Sequence, residues 1–137
     1  MIRVEGLRFT YPGNQDETLR GLEFEIDRGE VFGFLGPSGS GKSTTQKILI
    51  GILQHYKGDV RVFGADLEAR GAEFYERIGV SFELPNVYTK LTARENLAFF
   101  RSLYAGQTQE PGALPEMVGH GNDADTRVAN CSRGMRS

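Results

Sequence analysis

The sequence predicts an α/β fold, and three observations carry that expectation. The apolar run Val31-Phe32-Gly33-Phe34-Leu35 leads directly into Gly36-Pro37-Ser38-Gly39-Ser40-Gly41-Lys42-Ser43, followed by Thr44 and the helix-compatible Thr45-Gln46-Lys47-Ile48-Leu49-Ile50. Before it, Leu22, Phe24 and Ile26 alternate with Glu23, Glu25 and Asp27, the period of a half-buried strand. After it, Leu97, Phe100, Leu103 and Tyr104 repeat at helical spacing behind Thr92 and Glu95, the two members of a capping box. Strands on one side of a glycine turn and helices on the other make an α/β chain.

Taken in order, Ile2, Val4, Leu7 and Phe9 form a first strand that ends at the turn residues Tyr11-Pro12-Gly13. The alternating strand through Ile26 follows, and the two suggest an antiparallel hairpin. Arg28-Gly29-Glu30 then turns the chain into 31–35, which reads as a buried strand. A helix opens near Lys42 and ends around Gly51 to Lys57; Val60, Val62 and Phe63 form a short strand before Gly64-Ala65-Asp66. A polar helix is expected over Ala72 to Arg77, a second buried strand over Ile78 to Phe82, and the capped helix over Thr92 to Tyr104. Ala113 to Val118 reads as a short helix between polar loops.

The glycine-rich stretch has the pattern G-x-x-x-x-G-K-[ST] of a phosphate-binding loop. Glycines let the backbone wrap a phosphate with no Cβ in the way, and successive N–H groups make an anion nest. The helix opening at Lys42 adds unpaired N–H groups and the positive end of its dipole. Lys42 would reach the β- and γ-phosphates, and the Ser43 hydroxyl would hold Mg²⁺.

Composition narrows the classes. At 137 residues the chain has room for a moderate core, and 39% apolar with 25% charged residues fits a globular protein. A net charge of −2 lacks the basic footprint of a nucleic-acid binder. The single cysteine, Cys131, has no internal disulfide partner and suits a reducing compartment. Met1-Ile2-Arg3-Val4-Glu5 is charged too early for a signal peptide. The longest apolar stretch, Ile48 to Leu53, is too short to cross a bilayer.

Several further stretches resemble the ATP-binding subunit of an ABC transporter, of the bacterial exporter type with separately encoded membrane proteins. Gly36–Thr44 is similar to that family's Walker A, namely Gly36, Pro37, Ser38, Gly39, Ser40, Gly41, Lys42, Ser43 and Thr44. Tyr11 stands where the family stacks an aromatic on adenine. Leu19-Arg20-Gly21-Leu22 through Arg28-Gly29-Glu30 resembles its second strand and turn, and Gly58-Asp59-Val60 with Gly64 its later hairpin. Leu91-Thr92-Ala93-Arg94-Glu95-Asn96-Leu97 resembles the opening of its helical subdomain, and Ser132-Arg133-Gly134-Met135-Arg136 a divergent signature motif.

The resemblance implies a P-loop NTPase of the ABC ATPase type: a mixed sheet core with an antiparallel β hairpin region, plus part of a helical subdomain. It divides the chain into a nucleotide-binding core over 1–85 and a partial helical subdomain over 86–137. It implies ATP and Mg²⁺ as ligands, a membrane-spanning permease subunit and a second ATPase subunit as partners, and a peripheral place on the inner face of the cell membrane. Ser132 and Gly134 match the signature residues that contact the nucleotide of the opposite subunit.

Two departures stand out. Glu83 occupies the position where the family has a metal-ligating glutamine; a carboxylate is still a hard oxygen donor for Mg²⁺. The family's Asp-Glu pair ends an apolar strand after the signature, with a histidine later. No run of four apolar residues here leads into an aspartate, and His55 and His120 both precede the signature in polar loops. The chain is therefore expected to stop before its catalytic half and to lack turnover by itself. That leaves a second expectation open, an inactive nucleotide-binding fragment. Another P-loop enzyme is disfavoured: a GTPase would need an Asn-Lys-x-Asp run, which is absent.

Overall fold

The computed structural model describes residues 1–81 and 87–131. The chain divides into two compact units, Met1–Phe74 and Tyr75–Ser137.

The first unit is built on a four-stranded antiparallel sheet. Strands β1 (Ile2–Phe9) and β2 (Leu19–Ile26) form the expected hairpin; β3 (Lys57–Val62) and the short β4 (Ala65–Asp66) complete the order β2-β1-β3-β4. The apolar residues of β1 fall at 2, 4, 7 and 9, a phase change that a regular strand would turn outward. A register shift between Val4 and Leu7 absorbs the extra residue, so Val4, Leu7 and Phe9 are all buried. The β1–β3 pairing has its own register shift between Glu5 and Arg8, and there the two backbones run close. A Cβ at Gly58 would lie 2.6 Å from the carbonyl oxygens of Glu5 and Gly6, which requires glycine there.

Helix α1 (Lys42–Leu49) follows the glycine-rich loop and buries Thr44, Thr45, Ile48 and Leu49. With Val60, Val62, Leu67 and Phe74, these residues and the inward side chains of β1 make the core of the unit. A one-turn helix α2 (Ala72–Tyr75) stands where a polar helix is expected.

The stretch 31–35 departs from expectation, because it forms no strand. Its side chains keep strand-like alternation: Phe32 and Phe34 pack on Phe24 of β2 with ring centroids 5.4 Å apart in each case. Val31 and Leu35 face the other way and are 99% and 95% exposed. A strand needs a neighbour to pair its N–H and C=O groups, and no strand among the described residues pairs with 31–35. Residues 78–81 also lack the expected strand, and Val80 is exposed. Residue 82, the end of that stretch, lies outside the described residues.

The second unit is organised around helix α3 (Ala93–Arg101). The capping box forms as expected: the Glu95 N–H donates to Thr92 Oγ1 at 3.1 Å, and the Thr92 N–H donates to Glu95 Oε2 at 2.7 Å. Two further N–H groups of the first turn, those of Ala93 and Arg94, donate to the carbonyls of Thr126 and Ala124. The Arg94 guanidinium grips Asp125 with bonds of 2.8 and 3.2 Å and holds its carboxyl below the usual carboxylate range. Buried Asn96 accepts from the Tyr88 N–H at 2.7 Å and donates to the Tyr88 and Thr92 carbonyls at 3.0 and 2.9 Å. The start of α3 is thereby tied to Tyr88, to Thr92 and to residues 124–126. Helix α4 (Ala113–Met117) stands in the expected place. An apolar cavity of about 400 Å³ is lined by Leu97, Phe100, Leu114, Met117, Val128 and Cys131 among others. Leu103 and Tyr104 remain exposed.

Candidate nucleotide-binding site

The site grows from the join between the loop 36–41 and α1, all within the first unit. Gly41 caps the helix at φ +89°, a left-handed conformation natural to glycine. A Cβ there would also overlap Leu19 Cδ2 and lie 3.3 Å from the Thr18 carbonyl oxygen. Gly41 is therefore required twice, once by its backbone angle and once by the closeness of β2.

Beyond Gly41, the amides of Lys42, Ser43 and Thr44 precede the first intrahelical bond, in which the Thr45 N–H donates to the Gly41 carbonyl at 2.8 Å. Three N–H groups at the positive end of a helix of 8 residues, with no acidic side chain in its first turn, favour an anion. The Lys42 ammonium lies across the loop. It donates to the Gly36 and Pro37 carbonyls, both at 2.7 Å, and to Ser40 Oγ at 3.3 Å. The cation thus sits at the centre of the loop that the glycines shape. The Ser43 side chain is exposed, so its hydroxyl is accessible to a metal or phosphate oxygen. These groups fit a polyphosphate with an accompanying Mg²⁺: one ammonium, the amides at the start of α1 and one exposed hydroxyl.

Tyr11 stands at the same place, immediately past β1. Its hydroxyl is 3.1 Å from Thr44 Oγ1, and its ring meets Phe9 edge-on with centroids 4.9 Å apart. The structure therefore brings together Tyr11 and all of Gly36–Thr44. Glu83, Ser132 and Gly134, the expected metal and signature residues, lie outside the described residues. His55 and His120 are exposed, as their polar loops suggest, while Cys131 is buried and its thiol faces the Arg127 carbonyl at 3.6 Å. Sequence reading did not single out Thr18 and Leu19 as loop supports. No local signal could have done so, because their contact with Gly41 crosses from one strand to a distant turn.

The profile of the ABC transporter family matches residues 19–137. The chain belongs to that family. A fluoroquinolones export ATP-binding protein of Mycobacterium tuberculosis is 54% identical over 136 residues, covering 99% of this chain and 45% of that one. The linearmycin resistance ATP-binding protein LnrL of Bacillus subtilis is 31% identical over 140 residues, covering 99% of this chain and 44% of its own. The chain thus spans less than half the length of these ABC relatives. Among solved structures, an ATP-binding subunit of an ABC transporter superposes with a TM-score of 0.81 at 27% identity, covering 99% of this chain and 57% of that one. A dimeric ATP-binding cassette in a post-hydrolysis state, bound to ADP and Pi, superposes with a TM-score of 0.79 at 24% identity, covering 99% and 65%. The fold is that of a P-loop NTPase of the ABC ATPase type.

Proposed function

We propose that this chain binds ATP at Gly36–Thr44 and that, in the full-length protein, ATP hydrolysis drives an ABC exporter. The convergence of the α1 amides and the Lys42 ammonium on one glycine-shaped loop carries the reading. In it, Lys42 leaves the Gly36 and Pro37 carbonyls for the β- and γ-phosphate oxygens. The amides of the loop and of the first helical turn hold the phosphates, and the Tyr11 ring packs on the base. Ser43 Oγ, with the Glu83 carboxylate, holds Mg²⁺, which neutralises charge on the phosphate oxygens. The core is 1–85, and 86–137 belongs to a helical subdomain whose Ser132 and Gly134 approach the nucleotide of a second ATPase subunit.

Among the described residues, no helix is long and apolar enough to cross a membrane. In this reading, as the resemblance implies, a permease subunit spans the bilayer and the ATPase docks on its cytoplasmic side. The names of the relatives, which are ATP-binding proteins of export and resistance systems, support export as the direction. Turnover belongs to the protein that carries the family's Asp-Glu strand. The test is calorimetric titration of Mg-ATP into the chain and its Lys42→Ala variant. Micromolar binding that falls at least tenfold on substitution is expected; equal affinity in the two proteins would overturn the assignment.

A further inference from the structure

Tyr11 and Thr44 are 33 positions apart, yet their hydroxyls meet at 3.1 Å. Thr44 is 6% exposed and lies in the first turn of α1, so its β-branched side chain has little rotamer freedom. A threonine in a helix commonly turns its hydroxyl back to the carbonyl four residues earlier. Its neighbour Thr45 does so, donating to Gly41 O at 3.0 Å, whereas Thr44 faces Tyr11. Phe9, itself 5% exposed, meets the Tyr11 ring at an interplanar angle of 88°. Two contacts of different kinds thus hold the ring: Phe9 sets its tilt, and Thr44 sets its distance from the phosphate loop.

We propose that Thr44 is a positioning residue whose hydroxyl holds the Tyr11 ring beside the loop, so that preference for a base-bearing nucleotide over a bare polyphosphate runs through this bond. The proposal rests on the reading of Gly36–Thr44 as a phosphate site and of Tyr11 as the base-stacking residue. The Thr44 side chain and backbone then serve different ends. The amide faces the anion with its neighbours, and the hydroxyl orders the aromatic. A ring already held in place loses less freedom when a base stacks on it. A bare polyphosphate presents no base and gains nothing from that order.

The experiment titrates Mg-ATP and Mg-tripolyphosphate into the full chain and into Thr44→Val, Thr44→Ser, Tyr11→Phe and the Thr44→Val/Tyr11→Phe double variant. Thr44→Val and Tyr11→Phe should each weaken ATP about fivefold, the worth of one hydrogen bond, and leave tripolyphosphate unchanged. Retained tripolyphosphate binding also reports an intact fold. Thr44→Ser, which keeps the hydroxyl, should restore ATP affinity, and the double variant should be no weaker than either single one. Equal weakening of both ligands by Thr44→Val, additive losses in the double variant, or unchanged ATP affinity would each overturn the proposal. If the unsubstituted chain binds neither ligand, or Lys42→Ala leaves both affinities intact, the phosphate-site reading itself fails, a result distinct from these.

Discussion

Replacing Gly41 with alanine adds one methyl group at the corner where the glycine-rich loop becomes α1. The backbone there has φ +89°, and an alanine held in a left-handed conformation costs about 1–2 kcal/mol. The new methyl would also overlap Leu19 Cδ2. Leu19 is 4% exposed and is paired with Phe9 across the β1–β2 hairpin, so it cannot swing aside freely. Overpacking of this kind costs about 1–3 kcal/mol. Together the two effects amount to about 2–5 kcal/mol, a large share of the roughly 5–15 kcal/mol that holds a domain folded. Native-state hydrogen exchange at the β1 and β2 amides measures the loss directly, and Mg-ATP titration shows whether the loop still binds. Leu19→Ala alone should cost about 2–5 kcal/mol. In the Gly41→Ala background it removes the clash, so the double variant should be about 1–3 kcal/mol more stable than additivity allows. Gly41→Ala stability within about 0.5 kcal/mol of the parent, or strict additivity with Leu19→Ala, would refute the reasoning.

Three other outcomes follow from particular residues. Asn96→Leu removes three hydrogen bonds and strands the Tyr88 backbone groups; it should destabilise the second unit by about 2–3 kcal/mol, read as faster exchange of the Tyr88 amide with β1 amides unchanged. Tyr56 is 8% exposed, its hydroxyl has no hydrogen-bond partner among the described residues, and burial, with Glu68 and Asp66 adding to it, pushes its phenol up to about 12. The folded value lies above the unfolded value near 10, so the neutral phenol's contribution is fully present below about pH 10 and is lost as pH rises toward 12. Tyr56→Phe should therefore keep or raise stability at neutral pH and abolish this alkaline loss in urea melts. Val31 and Leu35 are almost fully exposed on a stretch that pairs with no strand among the described residues, so the isolated chain should self-associate. Val31→Lys with Leu35→Lys should shift it toward monomer in multi-angle light scattering, and a parent chain that is already monodisperse would contradict the argument.

Legibility differed from element to element for a physical reason. The capping box of Thr92 and Glu95 depends on two side chains three positions apart and the backbone between them, and it forms as the sequence predicts. The phase change along β1 was visible as apolar residues at 2, 4, 7 and 9, and the structure resolves it with a bulge. The run 31–35 has the composition of a buried strand, and its side chains alternate like one. It is not a strand, because a strand is defined by its neighbour rather than by its own residues.

The same division applies to the site. Glycine spacing, Lys42 and Ser43 announce phosphate chemistry from the sequence, since the loop folds around its own backbone and the helix that follows it. The approach of Leu19 to Gly41, the bond from Tyr11 to Thr44 and the orphan hydroxyl of Tyr56 became visible only in the folded chain. Each joins residues far apart in sequence, or records the failure of such a partner to arrive. Sequence by itself determined the α/β class, the phosphate loop and the local caps, which need only nearby residues. Tertiary structure decided which apolar runs gain partners and how the aromatic is held, because those depend on the register and packing of distant segments.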